Sequence, residues 1–186
     1  DEAWSLTARP GCLRLKTARV VDNLFVAPNT LTQRMVGPSC SASVCIDLKG
    51  MKNGDRTGFA AYNGDSGVLT VEKNKGKKEL VMSEQYSVFG DNQGVKVIKE
   101  VKTKEMARIP LKSNRNYLRI DGEFGLGKDW ATFFYSLDGK QWNQIGEPVK
   151  MVFDYRRMFM GSKYAVFNYA TKKLGGYVDV ESFEYK

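Results

Sequence analysis

The stretch FFYSLDGKQWNQIG, Phe133–Gly146, decides the fold. Three aromatic or β-prone positions lead into Asp138-Gly139, a dipeptide that tolerates the positive φ values of a tight hairpin turn. Trp142 and Ile145 follow on the return arm. Strands joined by so short a connection must pair antiparallel. Trp142, on the arm of this hairpin, is expected to plug the core.

Turn signals of the same kind recur along the chain. They are RPG (Arg9–Gly11), KNGD (Lys52–Asp55), NGDSG (Asn63–Gly67), NKG (Asn74–Gly76), GDNQG (Gly90–Gly94) and LGG (Leu174–Gly176). Between them lie short runs that alternate apolar and polar residues, the pattern of half-buried strands. CLRLKT (Cys12–Thr17) sends Leu13 and Leu15 one way, Arg14 and Lys16 the other. YLRIDG (Tyr117–Gly122) alternates likewise. VKVIKEV (Val95–Val101) starts so and slips phase at Ile98–Lys99, which predicts a β-bulge. TARVVDNLFVAPNT (Thr17–Thr30) has no sustained helical period and reads as a long loop or a short helix. With no repeat and no linker, residues 1–186 form a single all-β domain, about a dozen strands in two packed sheets.

Composition removes several functions. There is no histidine, so Ser–His–Asp and Cys–His nucleophiles and His-based zinc sites are excluded. No apolar run approaches the ~20 residues of a membrane span. The net charge is +8. Its lysines gather in turns, as in KNKGKKE (Lys73–Glu79), or alternate with apolar residues, as solvated strand faces do. A basic anion or nucleic-acid binder is the alternative that this charge keeps open, although nucleic acid is not the expected partner. Cys12, Cys40 and Cys45 show no metal spacing and read as free thiols, with a disulfide through Cys12 left open. GDNQG and GEFGLGKD (Gly122–Asp129) lack the strand–loop–helix context of a phosphate cradle. The opening residues, DEAWSLTARP, form no signal peptide and carry no initiator Met; the chain is expected to be a piece of a longer polypeptide.

Two groups of residues could carry chemistry. Asp179, Glu181 and Glu184 have a spacing that can bring two carboxyls to the ~5–5.5 Å of a retaining glycosidase. A β-sandwich glycanase using them is one alternative; rim acids on a strand edge are the simpler reading. Asp179, with backbone carbonyls, is also a candidate ligand for a structural calcium, though no cofactor is required. The second group pairs aromatic rings with amides, as sugar sites do: Tyr62-Asn63, Tyr155-Arg156 and Phe167-Asn168-Tyr169. Most aromatics of a sandwich this size nevertheless pack inside it.

Four stretches together resemble one module. They are WSLTARPGCLRLKTA (Trp4–Ala18), NTLTQRMVGPSCSASVCIDLKGMKNGDRTGFAAYN (Asn29–Asn63), ATFFYSLDGKQWNQIGEPVKM (Ala131–Met151) and FNYATKKLGGYVDVESFEY (Phe167–Tyr185). The module is the concanavalin A-like domain that follows the five-bladed catalytic propeller in glycoside hydrolase family 43, the β-xylosidases and α-L-arabinofuranosidases. The resemblance implies a jelly-roll β-sandwich and no catalytic residue in this chain, since the acids of this inverting family lie on the propeller. It implies an ancillary domain of an exported enzyme that packs on the propeller and helps bind or position xylan-type chains. In the family the loop matching Lys16–Thr30 reaches toward the catalytic pocket, and Leu24-Phe25 occupies the matching position. Leu24, Phe25, Tyr62, Asn63, Tyr155, Asn168 and Tyr169 are therefore the expected contacts to ligand or catalytic domain.

Overall fold

Strands that alternate apolar and polar side chains can bury only one face each, so they must stack in pairs of sheets. The computed structural model describes residues 3–152 and 161–186. β1 (Trp4–Ser5) and β2 (Leu13–Lys16) precede a loop with one 3-10 turn, Leu24–Val26. β3 (Thr30–Arg34), β4 (Ser39–Asp47), β5 (Asp55–Tyr62), β6 (Asp65–Asn74), β7 (Lys77–Asn92) and β8 (Val95–Leu111) follow. β9 (Arg115–Glu123), β10 (Trp130–Ser136), β11 (Asn143–Gln144), β12 (Val149–Lys150), β13 (Lys163–Ala170) and β14 (Tyr177–Tyr185) complete the chain. One sheet has the order β1-β2-β14-β4-β9-β10-β11, with β12 also on β10; the other runs β3-β13-β5-β6-β7-β8. Neighbouring strands within both sheets pair antiparallel.

The core lies between the sheets. Phe59 and Tyr164 stack at 5.5 Å between centroids, and the Tyr164 hydroxyl donates to the Cys40 sulfur at 3.2 Å. Phe133, from the Asp138-Gly139 hairpin, lies against Gly67, where a Cβ would collide with its ring. Trp142 does not join them. It is half-buried on the outer face of the eight-stranded sheet, with the Arg119 guanidinium 4.8 Å from its ring. The reason is local: β11 is only two residues long, and Ile145 takes the inward position that the tryptophan was expected to fill.

Phase slips in the sequence become bulges. Val88 pairs with Glu100 and Phe89 with Ile98, which leaves Lys99 as the extra residue of the predicted slip. On β14, Val180 opposes Ile46 and Ser182 opposes Cys45, so Glu181 is extra.

β13 differs from its neighbours because both its faces are apolar. Tyr164 and Val166 point into the main core. Ala165, Phe167 and Tyr169 point outward, yet they are buried with Leu24, Ala60 and Val68 in a second, smaller cluster. The cover is the loop between β2 and β3. The tip of the Phe167 ring lies beside Gly58 on β5, where a Cβ would stand 3.2 Å from it and would also run into the Leu69 carbonyl of β6.

The outer face of the eight-stranded sheet is a charge network. Arg14 on β2 grips Asp179 on β14 with two hydrogen bonds, 2.7 and 2.9 Å. Arg9, from the RPG turn, reaches Asp47 at 3.0 Å and Glu181 at 2.7 Å, and so straps the amino-terminal segment across β14 and β4. Arg115 on β9 also pairs with Glu181. The Arg14 hydrogen bond holds the Asp179 carboxyl below its ordinary value despite burial. Burial pushes Glu181 up, but hydrogen bonds from Cys45, Arg9 and Arg115 outweigh it and leave the carboxyl low.

Two outcomes follow from this packing. Gly58→Ala should destabilise the domain by about 3 kcal/mol, because backbone rather than a flexible side chain occupies the new methyl's space; unchanged urea unfolding would refute this. Arg14→Met should cost roughly 3 kcal/mol at pH 7 by leaving a buried carboxylate short of its main partner. Asp179 is depressed below 3.8 in the folded state, so the unfolded chain takes up its proton first. The stabilisation is full well above pH 4 and is lost as pH falls through the folded value. The difference between wild type and variant should therefore shrink on acidification; a difference that grows in acid would contradict the network.

Candidate functional site

The second apolar cluster sets the geometry of the loop above it. Two buried asparagines pin the loop's ends. Asn29 donates to the carbonyls of Ala3 and Lys16, and Asn168 donates to the Leu15 carbonyl at 2.8 Å. Between them the Asn23 side chain caps the 3-10 turn by accepting from the Phe25 amide at 3.0 Å. That cap turns two adjacent side chains in opposite senses. Leu24, 2% exposed, drops into the cluster beside Phe167 and Tyr169. Phe25 stays half-buried on top of Tyr62, 5.4 Å between ring centroids. Val20 and Val26, on the same loop, are 46% and 49% exposed.

The expected contact residues thus divide. Phe25 and Tyr62 form a common cap with accessible ring surface. Leu24, Asn168 and Tyr169 lie beneath it, with their side chains engaged in the packing and pinning just described. Burial raises the phenols of Tyr62 and Tyr169, so both are neutral, apolar surfaces at ordinary pH. Asn63 is buried at the β5–β6 turn, where its oxygen accepts from the Gly64 amide at 2.8 Å and its amide reaches Ser162 at 3.3 Å. Tyr155 lies outside the described residues.

The carboxylate candidates are differently engaged. Asp179 and Glu181 face guanidinium groups, and both are held ionised. A glycosidase needs one carboxyl raised to serve as acid, and this pair offers none. The positive charge opposite Asp179 is already supplied by Arg14 and Arg9, and among the described residues no group of three His, Cys, Asp or Glu side chains is placed to hold a metal. Arg9, Arg14, Arg56, Arg108, Arg115 and Arg119 each pair with a carboxylate, so much of the chain's positive charge is locally balanced.

Two grooves remain. The larger, about 780 Å³, crosses the outer face of the eight-stranded sheet between Ser41, Arg119, Asp121, Thr132, Trp142 and Glu184. Ser41 donates to Asp121 at 2.6 Å, and Arg119 lies over the rings of Phe134 and Trp142 at 4.2 and 4.8 Å, covering the faces a sugar would stack on. The second, about 260 Å³, lies on the outer face of the six-stranded sheet, alongside the Val20–Pro28 loop. Its floor is Thr70 on β6, Ser83 and Gln85 on β7 and Thr103 on β8; its walls include Asp22 and Asn23. No motif in the sequence marks this groove. Its trace is SEQ within β7, where uncharged polar residues occupy the outward positions Ser83 and Gln85 of a strand whose Leu80 and Met82 point into the core.

Comparison with known proteins agrees with this architecture. A family model described as the β-xylosidase C-terminal concanavalin A-like domain matches residues 1–186. A β-xylosidase of Formosa agariphila is 29% identical over 98% of this chain and 31% of its own length. The structure of a bifunctional GH43-CE protein of Bacteroides eggerthii superposes with a TM-score of 0.85 at 39% identity, over 99% of this chain and 22% of that one. A GH43 glycoside hydrolase, engineered to display both endo-xylanase and exo-arabinofuranosidase activity, superposes with a TM-score of 0.86 at 29% identity, over 98% of this chain and 36% of its own. The chain therefore spans about a third or less of the relatives it matches. It belongs to the family of concanavalin A-like domains that form the C-terminal part of β-xylosidases and related family 43 glycoside hydrolases.

Proposed function

We propose that this domain is an ancillary, non-catalytic module that docks on a family 43 catalytic propeller in the same polypeptide and helps position xylan-type chains there. The carrying observation is the cap: a loop pinned at both ends presents Phe25 on Tyr62, with Val20 and Val26 exposed on the same loop. Apolar surface held out on a rigid loop suits a covering partner. A planar ring at the edge of a sugar pocket suits the C–H face of a pyranose. Asp179 and Glu181 are committed to arginines, which in this reading leaves hydrolysis to acids elsewhere. Work on polymeric xylan places the parent enzyme outside the cytoplasm in this reading.

Two measurements test it. In a full-length enzyme carrying this domain, Phe25→Ala should raise KM for xylo-oligosaccharides about tenfold, roughly 1.4 kcal/mol of lost binding, with kcat and melting temperature little changed. An unchanged KM would remove the positioning role. The 186-residue chain alone should release no reducing sugar from xylan or arabinan. Release that disappears in Glu181→Gln would make the sandwich itself the enzyme.

A further inference from the structure

The groove on the six-stranded sheet has a polar atom with nothing to bond. Gln85 is 7% exposed, it lines the groove, and its side-chain oxygen is buried without a hydrogen-bond partner. A buried amide oxygen is an acceptor that calls for a donor. Around it the floor is hydroxyl-rich: Thr70 and Ser83 are buried outward-facing neighbours, and Thr103 pairs directly with Gln85 across β7 and β8.

The charged wall narrows the choice of donor. Arg108 bonds Glu105 at 2.7 Å and Glu79 at 2.9 Å, and Arg56 bonds Glu72 at 3.0 Å. The Arg108 hydrogen bond keeps Glu105 ionised. Both cations are thus matched, and Asp22 adds a further negative charge at the opposite wall. An anionic ligand would meet carboxylates without a free guanidinium. A neutral ligand rich in O–H donors meets an amide oxygen, hydroxyls and carboxylates, all of which accept.

We infer that this groove is a second glycan site, in which Gln85 accepts a hydroxyl of a neutral xylan-type chain. The volume of about 260 Å³ is below that of pockets that enclose a drug-sized ligand, so the site grips one or two sugar units of a longer chain. The proposal rests on the carbohydrate-positioning reading above, but uses the other side of the loop. The cap of Phe25 would serve the catalytic pocket; the groove would hold substrate at a distance from it.

The test uses the 186-residue chain, titrated with xylohexaose, neutral arabinoxylan and polygalacturonate by NMR and affinity electrophoresis. The expected result is millimolar or tighter binding of the neutral chains, with shifts at the Gln85 side-chain amide and at Thr70 and Thr103, and no binding of polygalacturonate. Gln85→Met should weaken it at least tenfold. The shift map needs no variant, so a misfolded Gln85→Met does not block the test. Absent binding, shifts confined to Phe25 and Tyr62, or equal binding of polygalacturonate each overturn the proposal. The positioning reading stands or falls separately, on the KM of Phe25→Ala in the full-length enzyme.

Discussion

A strand that is apolar on both faces must be covered on both, and β13 imposes this on the domain. Its inward side chains join the two sheets. Its outward ones, Ala165, Phe167 and Tyr169, would lie open on the sheet surface without the loop that follows β2. Burying aromatic and aliphatic surface of this size is worth several kcal/mol, at about 25 cal/mol per Å². That is enough to fix a loop that has only one 3-10 turn of regular structure. Leu24 is the contact that does it, and Gly58 is the residue that lets Phe167 lie low enough to receive it. Once Leu24 is committed, the capping asparagine leaves Phe25 nowhere to go but up, onto Tyr62.

The opposite face obeys electrostatics rather than burial. Asp179 and Glu181 stand on one strand close to Asp47, an arrangement that would repel without cations between them. Arg9, Arg14 and Arg115 supply those cations from three separate segments. The bulge at Glu181 takes part. By adding one residue, it keeps Glu181 on the outer face while Phe183 and Tyr185 turn to meet Phe59 and Tyr164. The spacing that resembles a catalytic pair is thus the by-product of a strand that changes the phase of its apolar side midway.

Most of the fold is legible in the chain because period-two alternation and turn dipeptides are local signals. The hairpin at Asp138-Gly139 and the bulge at Lys99 follow from them directly. Trp142 was misjudged because alternation fixes faces only relative to a known register, and a two-residue strand leaves the register to its neighbours. The amides show a different limit. Asn63 and Asn168 sit beside aromatic residues, the composition of a sugar site, yet one closes a turn and the other pins a loop. Which backbone carbonyl lies within 3 Å of a buried amide is a long-range fact; Leu15 and Asn168 are far apart in sequence. Gln85 was illegible for the same reason, since only the assembled sheet shows its oxygen to be without a partner.

These constraints put both candidate contact surfaces on one sheet and on either side of one loop. The loop is therefore a partition. Its apolar crest carries Phe25, while Asp22 and Asn23 face the hydroxyl-lined groove. Asn23 belongs to both, because its oxygen caps the turn that raises Phe25 and its amide donates to Asp22 at the groove wall, 2.7 Å away. Any shift of the loop that alters the crest must pass through that residue and move the wall as well. On the proposed reading, such a part lets the domain influence chemistry on its neighbour, because a rigid element shared by two surfaces couples what each of them holds.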